Sequence, residues 1–201
     1  MYHEATAVTE FDRHYIYHPA WAMRVLRQTQ PPEHTDISSI LSFASNLSAF
    51  IPVRFYDYRP AKLALSNLTC EPADLKNLLF EDNSVPSLSC MHTVEHVGLG
   101  RYGDALDYNG DLVAIRELQR VLAPGGDLLF VVPVGKPQIL FNAHRIYSRK
   151  QVVEAFDQLQ LIEFSLIPDR DEAGKTGIIK DASEELANRQ HYGCGCFWFK
   201  K

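Results

Sequence analysis

The amino-acid sequence predicts a doubly wound α/β chain, and three stretches carry that prediction. The first is the run at 128–134, LLFVVPV. It is apolar at consecutive positions, so it reads as a strand covered on both faces, as a parallel sheet requires. It follows a segment at 111–122 in which Leu112, Ile115, Leu118, Val121 and Leu122 recur at helical spacing, with Arg116, Glu117 and Arg120 between them. Helix followed by buried strand is the crossover unit of doubly wound folds. The second stretch is 53–60, VRFYDYRP, a β-branched and aromatic strand that reaches an acid and is ended by a proline. The third is 85–104, where an apolar run through Val85, Leu88, Cys90 and Met91 gives way to His92, Glu95, His96, Gly98, Gly100 and Gly103. A strand that ends in such a polar, glycine-rich loop marks the place where ligands of open α/β sheets sit.

Taken in order, residues 2–30 supply the aromatics Tyr2, Phe11, Tyr15, Tyr17 and Trp21. A helical pattern follows at Ala20, Met23, Val25 and Leu26 and stops before Pro31 and Pro32. This segment, 1–33, is expected to be a helical cap over a core of residues 34–201, in one domain. Tyr15, Tyr17, His18 and Trp21 are expected to pack rather than to bind. Next, 34–39 leads into a helix through Leu41, Phe43, Ala44, Leu47 and Phe50, with Ser38 or Ser39 as N-cap. A short strand near 68–70 is followed by the acids and asparagine of 81–84, a polar turn before the strand at 85. Beyond 134, residues 135–148 read as a polar loop containing Asn142, His144 and Arg145. Ser148 is expected to cap a helix through Val152 to Leu159, and 161–167 to form another strand. Residues 169–190 read as a charged excursion with a short helix at 183–188, and 192–199 as a final aromatic strand.

Composition narrows the classes. With 201 residues, 46% of them hydrophobic, the chain can bury a full core. The net charge of −5 argues against phosphate backbones and anionic membranes as partners. No run approaches the roughly 18 apolar residues of a membrane span, and the first residues lack the basic-then-apolar layout of a signal peptide. A cytoplasmic protein is therefore expected, with its oligomeric state open and a homodimer among the options. Cys70, Cys90, Cys194 and Cys196 form no C-x-x-C pair. Cys194 and Cys196 would share one strand face and are read as packing residues, so no metal site is expected.

Candidate site residues follow from the strand tips. Asp57 stands where a carboxylate accepts the ribose hydroxyls of a nucleoside cofactor, with capping of its own turn as the alternative. Asp74 lies beside the next strand end, placed either to meet an adenine amino group or to cap a turn. His92 to His96 also satisfies H-x-x-E-H, a zinc-hydrolase pattern, but it straddles a strand end instead of filling a helix.

With this order in view, the sequence resembles the class I S-adenosylmethionine-dependent methyltransferases. Within them it is similar to an uncharacterised methyltransferase-like family with signatures of the kind EHxGLGRYGD, FNAHRIYS and YGCGxF. These stand here at 95–104, 141–148 and 192–197, and Glu95-His96 followed by ELQRVLAPGG at 117–126 is the most specific part. The resemblance implies a Rossmann-like, seven-stranded sheet, mostly parallel with an antiparallel C-terminal strand. It implies a site for S-adenosylmethionine at Asp36, Ser38, Asp57, Asp74, Met91 and His92. The family's first loop reads Asp-Ile-Gly-Ser, and this chain has Ser38 in the glycine's place, which weakens the expected cofactor site. Methyl transfer needs positioning and one base, for which His144 or His96 is the candidate, with Arg145 to hold an acidic acceptor. His96 and Glu95 have a structural alternative, fixing the loop. The acceptor is expected to be a small polar metabolite, a sugar among them. The competing classes are a binding protein that keeps the fold without turnover and, more remotely, an H-x-x-E-H metallohydrolase.

Overall fold

The computed structural model describes residues 9–170 and 177–201. Tyr2 and residues 171–176 of the expected 169–190 excursion lie outside the described residues. The elements in chain order are α1 (Arg13–Thr29), β1 (His34–Ile37), α2 (Leu41–Leu47), β2 (Val53–Asp57), β3 (Leu68–Pro72), β4 (Val85–Met91), α3 (Gly110–Val121), β5 (Leu122–Val134), β6 (Gln138–Leu140), β7 (His144–Ile146), α4 (Arg149–Ala155), β8 (Gln160–Ile167), β9 (Ile179–Lys180), α5 (Glu184–Asn188) and β10 (Gly193–Lys200). A single 3₁₀ turn, Val94–His96, follows β4.

Eight strands form one sheet in the order β3-β2-β1-β4-β5-β10-β8-β9. β3, β2, β1, β4 and β5 pair in parallel, and β10 runs antiparallel between β5 and β8. The antiparallel C-terminal strand is as expected. The count of seven is corrected to eight, because residues 179–180 leave the excursion to pair antiparallel with Ser165 and Leu166. β1 and β4 are neighbours although α2, β2 and β3 separate them in sequence, so the winding reverses between them. That reversal opens a crevice at the carboxyl end of the sheet.

Apolar side chains cover both faces, which is why β5 could be read from its unbroken hydrophobic run. One face packs Trp21, Val25 and Leu26 of α1 and Phe43 and Leu47 of α2 against Met91, Leu129 and Val131. The other packs Ile115 and Leu118 of α3, Val152 of α4 and Ala187 of α5 against Leu88, Phe130 and Phe197. The ELQRVLAPGG stretch acts by hydrogen bonding: the Arg120 guanidinium donates to the carbonyls of Phe80 and Leu78 and to Asp82 and Glu117, and Glu117 accepts from Leu78 N–H. One side chain thus ties α3 to the turn that leads into β4.

Several element boundaries differ from the sequence reading. α1 begins at Arg13, where Asp12 caps it by accepting from Tyr15 N–H, and it carries Pro19 inside. α2 ends at Leu47 and leaves Phe50 82% exposed, so that phenyl ring is no part of a buried face. Neither Ser38 nor Ser39 caps α2, whose N-cap position is Ile40. The polar loop at 135–148 contains the hairpin β6–β7, paired Gln138 to Ile146 through Leu140 to His144. The helix after Ser148 stops at Ala155, short of Leu159. Ser148 does cap it, in a reciprocal box with Gln151, and Ser183 caps α5. Among the described residues no helix is long and apolar enough to cross a membrane.

Candidate functional site

A cavity of about 400 Å³ opens at the carboxyl ends of β1 to β4, within the range of small-ligand pockets. Ser38, Asp57, Asp74, His92 and His96 all line it, together with Thr93, Tyr102 and Asp104. Five of the nine residues singled out in the sequence therefore converge.

The tips of β1 and β4 are laced together. Ser39 Oγ accepts from Met91 N–H at 3.1 Å, and Thr93 Oγ1 donates to the Ser38 carbonyl at 2.8 Å. Ser38 itself has φ +57°, the left-handed conformation that a glycine would adopt freely. Its N–H and its hydroxyl both turn back to the Tyr56 carbonyl, at 2.7 and 3.3 Å, which holds the hydroxyl on β2. One carboxyl oxygen of Asp57 accepts from Arg59 N–H at 2.7 Å. The other makes no bond among the described residues. Asp74 likewise accepts from Lys76 N–H at 2.9 Å, so both acids cap their own turns and keep acceptor capacity toward the cavity.

Asp36 and Met91 are corrections. Asp36 is fully buried and absent from the cavity lining, and burial pushes its carboxyl up to about 7. It accepts from Ser89 Oγ at 2.5 Å, and Ser89 Oγ in turn lies 2.8 Å from His34 Nε2. Because the Ser89 hydroxyl is committed to Asp36, His34 Nε2 must donate to it, and Ser87 Oγ then donates to Nδ1. Burial holds His34 down at about 3, so this relay lies beneath the crevice as a buried polar support. The Met91 side chain is 1% exposed, belongs to the core and is absent from the cavity lining.

Arg145 is a third correction. Its guanidinium is buried, donates to the carbonyls of Val97 at 2.7 Å and Tyr108 at 3.0 Å, and pairs with Asp111 at 3.3 Å. These bonds clamp the loop 97–110 and use the donors that an acidic acceptor would require. His144 lies outside the lining, with its ring 6.4 Å from that of His96 and 4.9 Å from Tyr192. Burial lowers its pKa, aided by His96, which leaves it in the basic form. His96 donates from Nδ1 to the Ala143 carbonyl at 2.6 Å, and its Nε2 lies 3.8 Å from Glu95 Oε1. The structural reading of Glu95 also holds: Oε1 engages His92 Nδ1 at 3.0 Å. The H-x-x-E-H reading fails on geometry, because these residues occupy a strand end and a 3₁₀ turn and His96 is turned to Ala143.

Sequence reasoning missed His14. It lies on α1, stacked 5.2 Å from the ring of His92 and 5.2 Å from that of Tyr192. Burial and His92 depress it to about 4. The available signal was the i, i+4 pair His14 and His18, which one helical face must carry together. Tyr102 was missed as well; Arg59 stacks over it at 5.2 Å across the cavity mouth.

A family model described as a Caenorhabditis protein of unknown function, DUF268, matches residues 79–166, less than half of the chain. No curated protein sequence matches the chain. Among solved structures, a provisionally assigned methyltransferase of Bacillus halodurans is 13% identical, with TM-score 0.62 over 91% of this chain and 98% of its own. The N-methyltransferase NodS of Bradyrhizobium japonicum, in complex with S-adenosyl-L-homocysteine, is 13% identical with TM-score 0.62, covering 91% and 85%. The [4+2]-cyclase SpnF is 16% identical with TM-score 0.59, covering 91% and 80%. Strand order, the antiparallel C-terminal strand and these neighbours together give the chain the fold of the class I S-adenosylmethionine-dependent methyltransferases.

Proposed function

We propose that the protein is an S-adenosylmethionine-dependent methyltransferase acting on a small polar acceptor in the cytoplasm. One arrangement carries the reading: Ser38, Asp57, Asp74 and His92, at or just past the ends of four adjacent parallel strands, face one cavity. The uncommitted oxygen of Asp57 suits the ribose hydroxyls, and Asp74 suits the adenine amino group. The Ser38 backbone already holds a positive φ with its hydroxyl folded back, so the chain presents a rim of the shape that glycine gives.

When bound, the cofactor supplies a sulfonium whose methyl group is activated for direct displacement. The chain then has to position an acceptor and take up one proton. His96 Nε2 is the base that the geometry favours, since its ring lines the cavity and the Ala143 carbonyl fixes its tautomer. His144, neutral and beside it, is the second candidate. The acceptor side is imidazole and phenol, so a substrate screen covering amines, phenols and sugars is the way to narrow the class.

Calorimetric titration with S-adenosylmethionine and S-adenosylhomocysteine tests the reading. Micromolar binding is expected. Asp57→Ala should weaken it by about tenfold or more, the worth of a hydrogen bond to a charged group. Absence of heat at millimolar ligand would leave a binding protein without turnover as the better account.

A further inference from the structure

We propose that His14, His92 and Cys194 form a binding site for a thiophilic transition-metal dication, zinc foremost, next to the cavity described above, of which His92 alone of the three is a lining residue. One ligand atom from each of the three residues lies within 4.8 Å of the other two. They come from α1, from the tip of β4 and from β10, so tertiary packing alone assembles them.

His92 makes the strongest demand for an explanation. Its side chain is 3% exposed, its Nδ1 is engaged by Glu95, and its Nε2 is buried without a partner. A buried polar atom left unpaired costs about 1–3 kcal/mol, and a metal ion would satisfy it. The surrounding shell is of the kind that metal-ligating histidines use, in which the nitrogen away from the ion is held by a carboxyl or a backbone group. Glu95 holds His92 in this way.

Burial favours the Cys194 thiol over its thiolate, so binding an ion there would displace its proton; two imidazoles and the resulting thiolate suit zinc and exclude magnesium and calcium, which take oxygen ligands. Zinc bonds of about 2.0–2.3 Å put donor atoms roughly 3.3–3.8 Å apart. Closing from 4.8 Å requires a shift of about 1 Å, and His14, the only one of the three that is not fully buried, has the most room to make it. Three protein ligands leave a fourth coordination position, for water or an acceptor atom. His18 lies one helical turn from His14 with its ring edge-on to His92 at 5.1 Å. It donates from Nδ1 to the His14 carbonyl, so its buried, unpartnered Nε2 is a ready hydrogen-bond acceptor beside that position. The set differs from H-x-x-E-H: His96 takes no part, and Glu95 orients a ligand instead of activating water.

The inference stands apart from the methyl-donor reading, because its readout is the metal's own. The test uses full-length protein stripped with a chelator and titrated with Co²⁺, with Zn²⁺ in competition. We expect one equivalent of Co²⁺ in a tetrahedral spectrum with a thiolate charge-transfer band, displaced by Zn²⁺. Cys194→Ser should lose the charge-transfer band, and His14→Asn should bind at least about tenfold more weakly. His14 is only half-buried, so this second variant keeps the test decisive if the cysteine variant fails to fold. Failure of the parent protein to bind Co²⁺ and Zn²⁺ at micromolar concentration, or a folded variant that matches the parent in both band and affinity, overturns the proposal.

Discussion

Ser38 shows how a residue that breaks a family pattern can still meet its geometric demand. A non-glycine residue at φ +57° carries a cost of about 1–2 kcal/mol, and the bond from its hydroxyl to the Tyr56 carbonyl recovers part of it. Ser38→Gly would relieve the strain but loosen the unfolded chain. We expect stability to change by less than about 1 kcal/mol and cofactor affinity by less than about threefold. A large gain in affinity by calorimetry would show that the serine obstructs the site after all. Arg145 makes the opposite case, a polar residue in a suggestive motif whose charge is already used. Removing it by Arg145→Ala leaves Asp111 buried beside Tyr147 without its cation. The loss should be about 3–5 kcal/mol, read from urea unfolding. A catalytic role alone would lower turnover and leave the unfolding midpoint in place.

At the scale of elements, the loop between β4 and α3 builds one side of the cavity, and Gly98 is its tightest point. Gly98 has φ +79°, and a Cβ there would stand 2.1 Å from the Asp107 carbonyl oxygen. Its N–H donates to Asp104 and its carbonyl accepts from Asp107 N–H, so the loop closes on itself at this residue. Gly98→Ala should cost at least about 2 kcal/mol and also weaken S-adenosylhomocysteine binding, because Tyr102 and Asp104 would lose their places in the lining. An unchanged melting temperature would contradict this account. α1 shows a different kind of dependence. Its amphipathic face packs by general apolar complementarity, and Pro19 removes an internal hydrogen bond. The helix is therefore held by packing against β5, β8 and β10 more than by its own ladder. The same packing brings His14 and His18 over the strand tips.

Across the whole molecule, stability below neutral pH is set by buried groups that oppose one another. Folding lowers His14 to about 4 and His34 to about 3 from 6.5, and lowers His18 well below it. Between those values and 6.5 the unfolded chain binds more protons, so stability rises with pH across that window and levels off above it. Asp36 acts in the reverse sense: its folded value of about 7 exceeds the unfolded 3.8, so the folded state holds the extra proton and stability falls as pH climbs toward 7. Asp36→Asn removes the opposing contribution and should steepen the rise between pH 4 and 6.5. Denaturation midpoints measured across that range, if parallel in the two proteins, would refute it. The sequence by itself determined the doubly wound class, the buried strand at 128–134, the cap at Ser148, and Asp57 and Asp74 as strand-tip acids. These features follow from local periodicity, turn chemistry and position along the chain, all of which a linear pattern records. Only the tertiary structure decided that Asp36 and Met91 lie under the site, that Arg145 is a clamp, and that His14 meets His92 and Cys194. Burial and the partner a charge finds across distant segments are set by how helices pack on the sheet, and no spacing in the chain encodes them.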